Sequence, residues 1–442
     1  MVIRRIYIFS LLMSCSVLAV ANVMADQRLG FVEAAKQQKL NPLTLSAAIE
    51  LALRDEPGAL ARLNDARAMA SRAIAGNSWE DPKVKLGVSN LPTDSFDLDQ
   101  EAMTQLKLGL TQAIPRGDSH TIIAKGFDYQ AQVQQALAME RLLKVRVASS
   151  ISWLESWYAE RANAIYQHDQ RLFNDLLQVA QALYRVGKRS QADVLKAQLE
   201  IDRQRDQLQQ SYTEIAVNRA ALSQYIGEPD SRRPLTEVLE LPVYVAKNAS
   251  LLLQHPSVIA IDRQLDAARQ QVALAKEAYK PAWSVNVEYG KRLAEDQVGQ
   301  QLPDMLSASL SVDIPLFTRS KQDPLYLASQ HQLSALLDQR GQLLRELRAQ
   351  SAAAKVKIDR LEQRIALYKM SLLPTAKQSA TTDLNAYQSG QGGFQEVLKS
   401  RLFYQQVQLD YARLRTDLAV SLSQSEYFYR PLSPEIDASY RR

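Results

Sequence analysis

Four histidines, at positions 120, 168, 255 and 331, and a single cysteine, Cys15, are the only imidazole and thiol groups in the 442-residue chain. The histidines lie tens of residues apart, so no two share the i,i+4 spacing that places a pair on one helix face. No CxxC, HExxH, phosphate-binding loop or dinucleotide-binding glycine fingerprint is present. Carboxylates are plentiful, but on charged helical segments they read as solvated faces. The residues therefore point to no enzyme, no cofactor and no dedicated metal site. What chemistry remains is that of polar and charged groups at chain reversals, and the elements that hold them come next.

Hydrophobic residues make up 46% of the chain, enough for a sizeable core, while glycine and proline number only 15 and 16 and no linker rich in them divides it. The formal charge is +5, and no basic stripe with interleaved aromatics favours nucleic acid. Arg4 and Arg5, the apolar run Ile6 to Val20 and the small-residue site Val23-Met24-Ala25 read as an export signal over residues 1–25. That segment carries no other charge, so its removal leaves +3. Cys15 follows Leu12-Met13-Ser14, an imperfect lipobox that would make it a lipidated first residue; the apolar residues after it favour cleavage after Ala25 instead. No later apolar run reaches the ~18 residues of a membrane-spanning helix.

The chain is written twice. Glu56-Pro57 matches His255-Pro256, and Asp81-Pro82 matches Lys280-Pro281, at an offset of 199; Ile114-Pro115 matches Ile314-Pro315 at 200. Tyr184, Gly187, Val194, Leu195 and Lys196 match Tyr387, Gly390, Val397, Leu398 and Lys399 at 203. An ordered series of this kind marks a duplicated unit, with a first repeat over 26–230 and a second over 231–442. Each is expected to open with an alanine-rich helix (about 44–78 and 256–279), continue as a β-hairpin (about 83–114 and 283–314), and end in two long helices (about 119–226 and 320–424).

The hairpins follow from alternation. Leu106, Leu108 and Leu110 alternate with polar residues and glycine, as do Val84, Leu86 and Val88, then Trp283, Val285, Val287 and Tyr289, then Leu306, Ala308, Leu310 and Val312. Period-two patterning puts one face in an apolar medium and the other in a polar one. A half-buried soluble sheet gives the same pattern, but strands of this length also suit a bilayer crossing. The loops Pro92–Ala102 and Lys291–Asp304 are longer than a tight hairpin needs. Helices of some 65 residues would reach ~100 Å, too long to wrap a small sheet. Val194, Ile201, Leu208, Ile215 and Leu222, and Val397, Tyr404, Tyr411 and Leu418, recur every seven residues, the signature of a left-handed seam. Pro374 is expected to bend or break its helix. If the four strands enter a membrane, their edge groups must be paired, so several copies must share one barrel: eight strands from two, twelve from three.

This double unit resembles the TolC family of outer-membrane efflux proteins over nearly the whole mature chain. The resemblance is carried by Tyr184-Arg185-Val186-Gly187 before Asp193-Val194-Leu195, and by Leu373-Pro374 before Tyr387, Gly390 and Val397-Leu398. Leu110-Thr111-Gln112-Ala113-Ile114-Pro115-Arg116-Gly117 is similar to the heavy-metal branch. The resemblance implies a mainly α fold with a small β part, arranged as a homotrimer. Its twelve-stranded β-barrel, four strands per protomer, would sit in outer-membrane lipid and continue into a periplasmic α-helical barrel. It implies passive conduction from an inner-membrane pump of the resistance–nodulation–division type through a periplasmic adaptor. The tips carrying Tyr184, Gly187, Lys188 and Ser190, and Tyr387, Gly390 and Gly392, would meet the adaptor. Asp193, Tyr387, Glu396 and Lys399 would form the pore gate. Gly392 stands where the family often has arginine and Lys399 where it can have a second acid, so an i,i+3 pair between Glu396 and Lys399 is the expected substitute. The rival reading is a periplasmic coiled-coil adaptor or scaffold, against which the duplication and the two strand pairs argue.

Overall fold

The computed structural model describes residues 41–242, 249–429, 431, 432, 436, 438 and 440. The export signal and Cys15 lie outside the described residues. From its start the chain forms α1 (Leu45–Leu53) and α2 (Pro57–Gly76), then β1 (Lys83–Ser89) and β2 (Gln105–Ile114). Two long helices follow, α3 (Ser119–Arg185) and α4 (Gln191–Ile226). The second round is α5 (Pro256–Glu277), β3 (Ala282–Lys291), β4 (Met305–Asp313), α6 (Gln322–Leu367), α7 (Leu373–Gln388) and α8 (Phe394–Tyr429). The plan read from the sequence is present in both halves.

The opening helix of the first half is two helices rather than one. Asp55 takes φ +52 and Glu56 is extended, so the chain turns before Pro57 starts α2. The Glu56 carboxylate caps the new helix by accepting from the Ala59 N–H at 2.6 Å. His255 does the same for α5, its Nδ1 accepting from the Ser257 N–H at 3.2 Å ahead of Pro256. The matched X-Pro pairs are thus matched helix starts.

Helix α3 is 67 residues long, about 100 Å. In the second half α6, a π-helical turn at Tyr368–Leu372 and α7 follow one another without leaving helical angles. Pro374 therefore does not break the rod. It has no N–H to donate, and its ring would press on the carbonyl of Met370 in a regular α-helix; the wider turn just before it relieves both. At Arg171, the matching position, α3 runs on as regular helix. The returning helices α4 and α8 are each 36 residues, about 54 Å, so they come back only part of the way. Of the heptad residues, Ile201, Leu208, Leu222, Val397 and Leu418 are buried, whereas Val194, Ile215, Tyr404 and Tyr411 are half-buried.

The largest core cluster sits midway along α3, around Leu142, Trp153, Leu154 and Trp157, where α1 and the end of α4 meet it through Leu45, Ala48, Leu222 and Ile226. Two indole N–H groups lash the start of the chain and the inter-repeat connector to this belt: Trp153 donates to Leu43 O at 3.2 Å and Trp157 to Thr236 O at 3.1 Å. Leu43 and Leu235 also form a parallel bridge, so the two repeats are joined at this height.

Candidate functional site: an open sheet at one end and paired turns at the other

All four strands form one antiparallel sheet in the order β1-β2-β3-β4. Its central pairing, β2 with β3, joins the two repeats through Leu108↔Tyr289 and Leu110↔Val287. The registers place Val84, Leu86, Val88, Leu106, Leu108, Leu110, Val285, Val287, Tyr289, Leu306 and Leu310 on one face. That face is bare: Leu86 is 80% exposed and Leu306 76%. The opposite face is laced by polar contacts, Thr111 Oγ1 with Asn286 Oδ1 at 2.8 Å and Lys107 Nζ with Glu288 Oε2 at 3.4 Å. Among the described residues, strands β1 and β4 each leave one edge without a partner. Among the described residues, no helix is long and apolar enough to cross a membrane, and no group of His, Cys, Asp and Glu could hold a metal ion.

At the far ends of the long helices lie two matching turns. In the first, Gly187 takes φ +74, its N–H donates to Tyr184 O at 2.9 Å, and the Lys188 N–H reaches back to Leu183 O at 2.9 Å. In the second, Gly390 takes φ +85, donating to Tyr387 O at 3.1 Å, and the Gln391 N–H reaches Ala386 O at 2.9 Å. Each is the six-to-one closure that ends a helix on a left-handed residue, a conformation glycine adopts without penalty. A Cβ on either glycine would meet no atom within 4 Å, so the backbone angle alone demands glycine there. Tyr184, Lys188 and Ser190 are exposed, and Asp193 is half-buried at the start of α4.

Tyr387 lies inward, with no exposed surface in the chain. It packs edge-on against Phe394 at 5.6 Å, beside Val397, Ile201 and Phe173. Burial, and then the neighbouring Asp193 carboxylate, push its phenol above the ordinary tyrosine range, while Arg189 opposes the shift. The expected Glu396–Lys399 pair is absent. Glu396 instead turns back on its own helix start and accepts from the Gly393 N–H at 2.5 Å, since unpaired N–H groups there offer a carboxylate more than a solvated lysine does. Lys399 stays exposed.

Arg189 was not singled out from the sequence, yet it joins the two turns. Its guanidinium lies over the Tyr387 ring, 4.9 Å from the centroid, and Nη2 donates to the Gly392 carbonyl. Arg189 and Gly392 occupy the same position of the two repeats, at the offset of 203. A Cβ at Gly392 would stand 3.0 Å from Ala386 Cβ and 3.2 Å from Tyr387 N, so the second repeat is tight where the first supplies the cation. Comparing the two copies at this one position was the available signal. Lys196 Nζ adds a second tie, to Gln395 Oε1 at 3.1 Å.

No protein-family model and no curated protein sequence matches the chain. Solved structures do. CusC, described for conformational changes accompanying folding and transmembrane channel formation, superposes with a TM-score of 0.72 at 14% identity, over 86% of this chain and 91% of its own. The outer membrane protein VceC of Vibrio cholerae gives 0.71 at 17% identity, over 87% and 95%. The outer-membrane channel OprN gives 0.73 at 16% identity, over 88% and 90%. Helix order and the four-stranded sheet thus give this chain the fold of these solved outer-membrane proteins.

Proposed function

We propose that this protein is the outer-membrane channel of an export system, conducting solutes passively from the periplasm to the outside. The observation that carries this reading is the sheet. An apolar face of four strands lies uncovered and flanked by two unpaired edges, and lipid plus further copies of the same chain would satisfy both. Three copies would close twelve strands, with the long helices prolonging the wall into the periplasm as a tube. The similarity of fold to outer-membrane channels supports the same assignment.

In this reading the loops Pro92–Ala102 and Lys291–Asp304 face the exterior. The turns carrying Tyr184, Gly187, Lys188 and Ser190, and Gly390 and Gly392, form the periplasmic tip and meet an adaptor coupled to an inner-membrane pump of the resistance–nodulation–division type. Asp193, Glu396 and Lys399 lie beside the pore at that tip. Tyr387, being buried, acts there by holding Arg189 and the two turns together. The adaptor or scaffold alternative would need the apolar sheet face covered by protein.

Fractionation of cells making the full chain separates the two. A channel is recovered from the outer membrane only with detergent, and its deletion lowers export by the pump it serves. Release from membranes by salt or alkali alone, with Leu310→Cys labelled by aqueous thiol reagents, would favour the scaffold.

A further inference from the structure

We propose that the wall of the strand barrel selects for anions, and that Lys83 and Lys85 set that preference. The inference rests on the sheet forming part of a shared membrane barrel, with its polar face turned to the lumen. The registers place five charged side chains on that face: Lys83, Lys85, Lys107, Glu288 and Asp313. Both acids are engaged locally, Glu288 with Lys107 at 3.4 Å and Asp313 with Arg116 at 2.6 Å. Lys83 and Lys85 form no ion pair among the described residues, and both are exposed. With Arg116 counted, the wall therefore carries a surplus of two positive charges per chain, and Lys83 and Lys85, on β1 at the edge where a neighbouring copy would pair, are its lysines outside an ion pair.

The floor beneath these lysines is open only at Gly87: the Glu288 side chain lies over Gly109, where an added Cβ would meet its Cγ at 2.9 Å, and Gln105 lies over Gly290. Lys85 stands opposite Gly109, and Lys107 stands between Gly87 and Gly290. A Cβ at Gly87 would meet nothing within 4 Å. The remaining residues on this face are small or neutral, including Thr111, Asn286, Ser307, Ser309 and Ser311. Lys83 and Lys85 sit two residues apart along the strand, about 7 Å, which is within the ~10 Å screening length at 0.1 M salt. They act on a passing ion together, and a low-dielectric wall focuses their field. Three copies would line the barrel with a band of six such charges. The outer loops have the opposite sign, with Asp94, Asp97, Asp99, Glu101, Glu295 and Asp296 around the mouth. The class of solute the barrel admits best is then small anions, carboxylates and oxyanions among them.

The test uses the full chain in outer-membrane vesicles with one reporter thiol, Ser309→Cys, on the row of Lys83, Thr111 and Asn286. A sulfonate-bearing and a trimethylammonium-bearing methanethiosulfonate are compared, so the result does not depend on whether the periplasmic tip is open. With the lysines present, the anionic reagent is expected to react faster than its intrinsic rate ratio predicts. The K83Q/K85Q pair should lower that ratio by about threefold or more, and K83R/K85R should restore it. Exchange of Asp97 and Asp99 for asparagine should leave it within that margin. A ratio unmoved by K83Q/K85Q overturns the inference while leaving the channel intact. Aqueous labelling of Leu310→Cys but not of Ser309→Cys overturns the barrel reading itself.

Discussion

At the scale of single residues, His255 shows how a buried group with one permitted protonation state ties stability to pH. Its Nδ1 must accept from the Ser257 N–H, and its Nε2 lies 3.1 Å from Tyr427 O and donates to it. Only the neutral ring with its proton on Nε2 satisfies both. Burial lowers its pKa from the ordinary 6.5, so on acidification the unfolded chain takes up a proton that the folded chain refuses. The contribution is present in full above about pH 6.5 and is lost as pH falls through the depressed folded value. Thermal unfolding in detergent should show a lower Tm at pH 5 than at pH 7.5. His255→Asn, which keeps a capping side chain, should flatten that dependence, whereas His255→Ala should cost about 1 kcal/mol at neutral pH. At the tips, Gly390→Ala should cost about 1–2 kcal/mol from backbone angle alone, and Gly390→Asn less, read as loss of hydrogen-exchange protection in α7 and the start of α8. Both glycines were legible in the sequence, because a chain reversing between helices needs positive φ. The inward packing of Tyr387 was not, since a residue's type beside a turn does not say which way it faces when two turns meet. The capture of Glu396 by its own helix start was hidden for a similar reason: i,i+3 spacing makes Lys399 available without making it the better partner.

At the scale of elements, the alternating strands were the most readable part of the chain. Period two fixes which residues share a face, and Val84, Leu86, Leu108, Leu110, Val287 and Leu310 do so. The pairing of β2 with β3 across the repeats was beyond the sequence, because no local pattern records which hairpin lies beside which. The heptads were legible as well, and Ile201, Leu222 and Val397 are buried as that period requires. Two helix boundaries were not. Glu56-Pro57 divides the opening helix, and Pro374 is absorbed by a π turn, because a rod packed along its whole length tolerates one widened turn better than a break. The two faces of the sheet should respond oppositely to charge. Leu86→Arg, midway along β1 on the apolar face, should cost about 2–4 kcal/mol in a bilayer and deplete folded protein from the outer membrane. Ser309→Arg, on the polar face, should assemble at near-normal levels in heat-modifiability gels. Equal depletion by both would mean that neither face meets lipid.

At the scale of the whole molecule, one chain is an unfinished object. Its helices are internally paired around the Trp153 belt and at the Arg189 tie, but its sheet ends in two open edges beneath a bare apolar face. Such a sheet in lipid would leave rows of N–H and C=O groups unsatisfied at several kcal/mol each, so closure has to come from other copies. The residue patterns carried this conclusion as far as shared closure; the number three is what the sequence's resemblance to the TolC family implies. Native mass spectrometry of the full chain, extracted from the outer membrane in detergent, tests the account most directly. A particle of three chains that loses solubility when detergent is withdrawn is the predicted result, and a single chain that stays monomeric in water without detergent would contradict it.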